Sequence, residues 1–276
     1  MAAPLRPTLA TTLAPNRTPQ RVRHELRRRQ LSVVHTHKIS AHMVRVTVGG
    51  PELAGFSSPG FDDHIKVFFP KPANESGDGP TMRDFTPGRF DAQALTLEID
   101  FALHDAGPAT SWAAQAQVGQ PIAMGGPCGS FIVPTEFDGH LLGGDDTALP
   151  AITRRLAELP DGSPTLVMVE VDGPQDEQIL QSPADLTVAW VHRKGRTNDQ
   201  ATTGAKDSTP GSALLERLAT LTLPACDIYA WVACEYSAAK ALRGHLVETR
   251  GVQKQWIKAA SYWRLGKADS HDELED

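Results

Sequence analysis

Hydrophobic positions follow two different rhythms along the chain. Between residues 31 and 126 they come in short runs. LSVVHTHKI (31–39) and HMVRVTVGG (42–50) are rich in valine and threonine and partly alternate with polar residues. HIKVFFP (64–70) stops at a proline. LTLEIDFAL (95–103) sets Leu95, Leu97, Ile99, Phe101 and Leu103 on one face, and QPIAMGG (120–126) adds a further run. Side chains alternate across a strand, so a period of two marks a half-buried strand. Several such strands, parted by turn residues and by the polar loop NESGDGP (74–80), predict an antiparallel barrel or sandwich.

From residue 140 the rhythm changes. HLLGG (140–144) is a short apolar strand entering a glycine turn. DDTALPAITRRLAEL (145–159) carries Leu149, Ile152, Leu156 and Leu159 at helical spacing. Asp145, Asp146 or Thr147 can cap that helix, and Pro150 suits its first turn. TLVMVEV (165–171) and TVAWVH (187–192) are nearly continuous apolar runs, as parallel strands covered on both faces should be. A polar loop (195–211) leads to the helix SALLERLATL with Ser212 as its cap. IYAWVAC (228–234) is a strand, and SAAKALRGHLVETRG (237–251) is a helix capped by Ser237 and closed near Gly251. Strands alternating with helices predict a parallel sheet wound on both faces. The expected organisation is a flexible extension (1–29), a β domain (30–138) and an α/β domain with a C-terminal tail (139–276).

Composition bounds the function. The chain has 276 residues, which suits two domains. Its net charge of -6, from 27 basic and 33 acidic side chains, argues against nucleic acid as a partner. No apolar run approaches the roughly 18 residues that span a bilayer, so no stable membrane insertion is expected. The first 20 residues lack the apolar core of a secretory signal and read as a disordered tail. The three cysteines, Cys128, Cys226 and Cys234, form no C-x-x-C pair. That pattern points away from a disulfide framework or zinc site and towards a reducing, cytoplasmic setting. Residues 17–29 hold six arginines and His24. Given the acidic total they read as a solvated lead-in to the first strand, the alternative being a membrane or polyanion patch.

Four stretches can carry chemistry. In RDFTPGRF (83–90), residues 86–89 suit a type II turn of a surface hairpin. The same stretch offers an arginine fork for pyrophosphate (Arg83), a ring for a flat heterocycle (Phe85) and a hydroxyl at its edge (Thr86). In FALHDAGPATSWA (101–113), Gly107 lets backbone amides approach an anion, and Thr110 can start a short helix facing phosphate. Taken alone, the stretch reads first as an ordinary strand-to-helix connection with a cap. GGPCGSF (125–131) is a tight loop or a ligand cradle. LLGGDDTALP (141–150) has the strand–glycine–helix order of a mononucleotide turn. Its two aspartates would repel a phosphate, so they should face a ribose, a nicotinamide or the helix amides.

Taken in series, DDHIKVFFP, RDFTPGRFD, LTLEIDFALHDAGPATSWA, GGPCGSF, GGDDTALPAI, WVACEYSAAKALRGHL and SYWRLG resemble the blocks of the siderophore-interacting protein family, a branch of the ferredoxin-reductase-like flavoproteins. The resemblance spans residues 28–267. It implies an antiparallel six-stranded β-barrel that binds FAD, followed by a doubly wound NAD(P)H-binding domain. It implies that Arg83 contacts FAD phosphate, that Phe85 stands where tyrosine is usual, and that Thr86 lies by the reactive edge of the flavin. It further implies that Asp100, Phe101, His104, Gly107, Pro108, Ala109, Thr110 and Trp112 complete the cofactor site. Asp145, Thr147 and Glu235 would lie on the nicotinamide side.

Basic groups that attract an anionic ferric siderophore are implied at Lys66 and Arg264. A third such position, usually arginine, is Cys128 here. The implied activity is a cytoplasmic, monomeric, FAD-dependent ferric-siderophore reductase using NADH or NADPH, or a ferredoxin, as donor. Iron would be substrate, with no dedicated protein ligands. The alternatives are a flavin reductase serving another acceptor and a siderophore-binding module without turnover. For donor choice, Glu170 and Asp172 can hold a ribose, whereas His192, Arg193, Lys194 and Arg196 can hold a 2′-phosphate.

Overall fold

The computed structural model describes residues 17–70, 79–103, 107–193, 210–224, 226–266 and the backbone of 272–273. The first half holds strands β1 (Gln20–Arg23), β2 (Arg28–Ser40), β3 (Met43–Gly49), β4 (Ile65–Phe69), β5 (Thr81–Phe85), β6 (Pro87–Asp91) and β7 (Thr96–Ala102). Helix α1 (Pro108–Gln115), β8 (Pro121–Gly125) and β9 (Gly129–Ile132) follow. The expected alternation holds. In β7, Leu97, Ile99 and Phe101 are buried while their neighbours are only partly covered, and β4 buries Ile65, Val67 and Phe69.

Seven strands form one antiparallel sheet in the order β5-β4-β8-β2-β3-β7-β6. Its two edges, β5 and β6, are consecutive in the chain and separated only by Thr86. Edge strands one residue apart require the sheet to curl round on itself. The expected count of six becomes seven because the strand through RDFTPGRF breaks at this joint. Nor is this stretch a hairpin with a type II turn. Gly88 lacks the positive φ such a turn needs, and its two arms pair with different strands, β5 with β4 and β6 with β7. Glycine is needed at 88 for another reason: a Cβ there would lie 2.8 Å from the Glu98 carbonyl oxygen on β7.

The expected extension is ordered where it is described. β1 pairs antiparallel with β9 as a separate two-stranded sheet. Arg17 forms ion pairs with Asp138 at 2.7 Å and Asp227 at 2.5 Å. Residues 1–16 lie outside the described residues.

The second half holds β10 (Gly139–Asp145), α2 (Leu149–Glu158), β11 (Pro164–Val171), β12 (Asp185–His192), α3 (Ser212–Thr220), β13 (Ile228–Glu235), α4 (Tyr236–Gly244), β14 (Ile257–Trp263) and β15 (Asp272–Glu273). The order is β12-β11-β10-β13-β14-β15, parallel except for β15. β14 and β15 were not read from sequence, because IKAASYW has neither a clean period nor a bulky apolar run.

Alternate residues serve alternate faces of this sheet. Leu142, Val167, Val169, Tyr229 and Trp231 pack with α2 on one face. Leu141, Met168, Ala230 and Val232 pack with α3 and α4 on the other. The α2 face also takes in Met43 and Phe61 from the barrel half, so the two halves share one core cluster.

Two caps differ from expectation. Gly211, at φ 76, precedes α3, and Ser212 is already helical. At α4, Glu235 rather than Ser237 is the cap, accepting from the Ser237 and Ala238 amides. A carboxylate on the last residue of β13 reaches those amides more readily than a hydroxyl inside the first turn. The helical path after α4 continues through a π turn, His245–Thr249, before Gly251 at φ 70. Among the described residues no helix is long and apolar enough to cross a membrane.

Complete burial leaves a mark on stability. His140 on β10 is inaccessible, and burial first, then the nearby Arg155 charge, pushes its pKa from 6.5 down to about 3. Below pH 6.5 the unfolded chain binds a proton that the folded chain refuses, so acidification favours unfolding until about pH 3. Replacing His140 by Leu should flatten this part of the profile. Between pH 6.5 and 4.5 the parent should lose about 2 kcal/mol more than the variant in urea unfolding.

Candidate active site

The Thr86 joint faces the second half of the chain. Phe85 and Thr86, with Met43 and His64, form one wall of a cleft, and Asp146, Thr147, Pro150 and Tyr262 form the other. Phe85 belongs to an aromatic group, with ring centroids 4.5 Å from Phe101 and 5.9 Å from Phe69. Phe101 and Phe69 in turn pack on Trp112 at 5.7 and 5.5 Å. Thr86 is buried. Tyr262 lies opposite, its phenol pKa raised by burial above all, with Asp62 adding to it and Thr86 opposing.

The sequence-derived residues separate into groups. Arg83 points along β5, donating to the Met82 carbonyl at 2.7 Å, and has no carboxylate partner among the described residues. The amides at the start of α1 receive no side-chain cap. This helix begins at Pro108 rather than Thr110, because proline is pre-set for the first turn. Gly107 is its cap residue, and Ala109 and Thr110 fall in the first turn.

Phe101 faces the barrel core, 2% exposed, so its side chain is turned away from the cleft. Asp100 lines the cleft, but Arg45 holds its carboxylate through two bonds of 2.6 and 2.8 Å. Lys66 is held by both carboxylate oxygens of Asp84 at 3.0 Å. Arg264 stacks over Tyr236 at 4.3 Å. His104 lies outside the described residues, as do Lys194, Arg196 and the rest of 194–209.

A second cleft opens where the strand order of the parallel sheet reverses, between β10 and β13. Ligands of open α/β sheets bind at such a switch point, beyond the carboxyl ends of the strands. Asp145, Glu170, Cys234 and Glu235 come from those strand ends, with Gly211 and Ser212 opposite. Both predicted acids are engaged. Asp145 accepts from the Thr147 amide at 3.0 Å and from Trp263 Nε1 at 2.7 Å. Its pKa is raised, by burial first and then by Asp146. Burial also pushes Glu235 up, but hydrogen bonds from Ser237, Leu265 and Ala238 outweigh it and its pKa is lowered.

Arg193 at the end of β12 donates to Asp146 at 3.2 Å and Asp172 at 3.0 Å, and its pKa is raised by those carboxylates against the effect of burial. Burial raises the Cys234 thiol well above its ordinary value. The two clefts meet at one turn: Asp145 lines the second, and Asp146 and Thr147 line the first.

A polar clamp holds the halves in this relation. Asp62 accepts from Trp231 Nε1 at 2.8 Å and pairs with Lys258 at 2.8 Å, all three being buried or nearly so. Arg154 on α2 donates to Ser58 Oγ at 3.1 Å and to the Pro87 carbonyl at 3.0 Å, just beyond the Thr86 joint. Asp62, Arg154, Tyr262 and Trp263 were not singled out from sequence. Nothing local in SYWRLG shows which partner each ring meets. Among the described residues no cluster of three or more His, Cys, Asp or Glu side chains is placed to hold a metal ion.

The sequence pattern described as siderophore-interacting FAD-binding domain matches residues 32–131, and that described as siderophore-interacting protein matches residues 137–266. The NADPH-dependent ferric-chelate reductase of Escherichia coli is 35% identical over 267 residues, covering 90% of this chain and 97% of that protein. The chain belongs to the siderophore-interacting protein family. The ferric vibriobactin reductase ViuB of Vibrio cholerae is 30% identical, covering 89% of this chain and 93% of the relative. A solved siderophore utilization protein from T. fusca superposes with a TM-score of 0.80 at 34% identity, covering 91% of this chain and 98% of that one.

The clamp between the barrel and the parallel sheet is a test of how this chain fixes its clefts. Asp62→Ala leaves Lys258 and the Trp231 N–H without their buried acceptor. It should lower the unfolding free energy by about 3 kcal/mol, read as a shift of the urea midpoint.

Proposed function

We propose that the chain is an FAD-dependent reductase of ferric siderophores, working as a cytoplasmic monomer, with an FAD domain over 30–138 and an NAD(P)H domain over 139–276. The observation that carries this reading is the meeting of the two clefts at the Asp145–Thr147 turn, which sets a flat-ring site beside a nucleotide site. The residues present suit FAD. Among the described residues Arg83 has no carboxylate to neutralise it, the first amides of α1 lack a side-chain cap, and Phe85 and Thr86 offer a ring and a hydroxyl to a heterocycle. Bound there, FAD would supply the chemistry that matches a two-electron hydride donor to the one-electron acceptor Fe(III).

Arg83 and the start of α1, including Gly107, Pro108, Ala109 and Thr110, would hold the phosphates. Thr86 fixes the edge of the ring system, while Phe101 and Trp112 support Phe85 from behind. Asp145, Thr147 and Glu235 shape the nicotinamide side. Two of these acids are bound to helix amides, so they order the turn rather than repel the donor. Hard oxygen chelators hold the more highly charged Fe(III) more strongly than Fe(II), so one electron loosens the metal. No acid–base step is required of the protein. Iron is bound through its chelator and needs no protein ligand.

The family relatives named as reductases support this reading over a binding module without turnover. NADH, NADPH and ferredoxin are the candidate donors. The purified flavoprotein should bleach with one of them under anaerobic conditions, and ferric siderophore should restore its absorbance. Bleached flavin that stays bleached with every ferric chelate, yet reduces a partner protein, would replace this function with the alternative reductase. Arg83→Ala should weaken FAD retention about tenfold or more in titrations of the apoprotein. Unchanged affinity would remove Arg83 from the phosphate site.

A further inference from the structure

The arginine-rich segment carries an exposed tip. Between β1 and β2 the chain turns through His24, Glu25, Leu26 and Arg27. Leu26 is 72% exposed, and Arg23, Glu25, Arg27 and Arg28 around it are exposed as well. A leucine left in water contributes no burial to the fold. Yet the tip is held firmly from behind. β1 pairs with β9, and the His24 amide donates to the Cys128 carbonyl at 3.0 Å. The Arg27 carbonyl accepts from the Gly126 amide at 3.3 Å and from the buried Arg29 guanidinium at 3.2 Å.

Cations surround the leucine. Glu25 is the one acid in residues 17–29. Among the described residues no carboxylate holds Arg23, Arg27 or Arg28. Arg28 lies over the Phe68 ring at 4.4 Å. Met82, opposite Phe68 across the β4–β5 ladder, is 40% exposed. The outer face of the barrel thus mixes apolar side chains with guanidinium groups, from the tip towards the β5 edge.

That mixture selects the partner. A nucleic acid would be drawn by the arginines but would gain nothing from Leu26. A stable protein partner covers about 800 Å² of each side, far more than a four-residue tip presents. An anionic bilayer surface uses both features: guanidinium groups settle among phosphates, and apolar side chains enter the acyl boundary.

We propose that the β1–β2 tip is a peripheral membrane-docking element, in which Leu26 enters the interface of an anionic phospholipid leaflet and Arg23, Arg27 and Arg28 meet its phosphates. The contact is reversible, since one leucine and three cations fall far short of a membrane span. The tip rests on the loop through Gly126 and Cys128. A Cβ at Gly126 would stand 3.7 Å from the carbonyl oxygen of His64, which lines the cleft of Phe85 and Thr86. Docking therefore sets that cleft beside the bilayer. The proposal goes beyond the reductase reading and does not depend on it.

The test sediments the full, FAD-loaded chain with vesicles at low salt. One set is phosphatidylcholine alone, the other phosphatidylcholine and phosphatidylglycerol in equal parts. The parent should bind the mixed vesicles and leave the neutral ones. Arg27→Gln/Arg28→Gln should bind about tenfold more weakly, and added salt should release the parent. Leu26→Ala should weaken binding about fivefold with no change of charge, and Leu26→Trp should strengthen it. Arg27→Lys/Arg28→Lys should bind like the parent, because docking reads charge. Flavin absorbance and the melting midpoint check that each variant is folded.

A parent that ignores the mixed vesicles, or binds both kinds alike, would overturn the docking element. So would Leu26 variants that bind like the parent while the glutamine pair is weakened, an outcome that marks a polyanion site instead. Loss of binding in the lysine pair would trace the effect to packing of Arg28 on Phe68 and also overturn it. Failure of the function looks different. A chain that docks through this tip but whose reduced flavin never reacts with a soluble ferric chelate keeps the docking element and loses the reductase. A chain that reduces the soluble chelate equally well in all variants, yet never sediments with vesicles, keeps the reductase and loses the docking element.

Discussion

Closure of the β-sheet through a single residue is the constraint on which the rest depends. β5 and β6 are opposite edges of the seven-stranded sheet, and only Thr86 separates them. The sheet cannot flatten without pulling that joint apart. Phe85 and Thr86 are therefore fixed by every ladder in the barrel, not by a local turn. Pro87 and Gly88 have corresponding roles. Proline withholds an N–H where one ladder ends, and glycine lets β6 come close to the Glu98 carbonyl on β7. A ring and a hydroxyl set at such a joint are positioned more rigidly than on a hairpin tip, which suits a site for a flat cofactor.

The joint gains its meaning from the second half of the chain. Arg154 on α2 holds the Pro87 carbonyl, so the helix that follows the mononucleotide turn is tied to the barrel one residue beyond Thr86. Asp62 reaches from the barrel to Trp231 and Lys258 on neighbouring parallel strands. Phe61, next to it, packs on Trp231 with ring centroids 5.5 Å apart. Apolar contact alone would allow the two sheets to slide. A buried carboxylate with two donors admits one arrangement, because any displacement leaves charge unpaired in a poorly solvated place. The adjacency of the two clefts at residues 145–147 follows from this clamp.

Much of this was legible in the residues, for physical reasons that differ by element. β4 and β7 declare themselves by alternation, since one face is buried and the other is not. β10, β11 and β13 declare themselves by unbroken apolar runs, since both faces are covered. The family blocks carry the site as a set, and the structure brings Phe85, Thr86 and Thr147 to one cleft and Asp145 and Glu235 to the next. What stayed hidden was partnership. Periodicity places Phe101 on a face but does not say that this face is the core. Nothing within DDHIK shows that Lys66 meets Asp84 across a ladder, and nothing within SYWRLG shows that Trp263 meets Asp145. The arginines of β1 read as solvated because their partner strand, β9, lies more than a hundred residues away.

Those hidden pairings change how the charges should be counted. By formula the nucleotide cleft is acidic and hostile to phosphate. In the structure Asp145 and Glu235 are spent on helix amides, and Asp146 and Asp172 on Arg193. By formula the barrel is rich in cations. In the structure Arg45 and Lys66 are spent on carboxylates. Among the described residues Arg83, two positions before Phe85 on β5, remains without a carboxylate. An ion already paired contributes little to attracting a third charge, because its field is largely cancelled at the distance of a docking ligand. The residual charge after pairing, rather than the net charge of -6, is what an approaching anion meets.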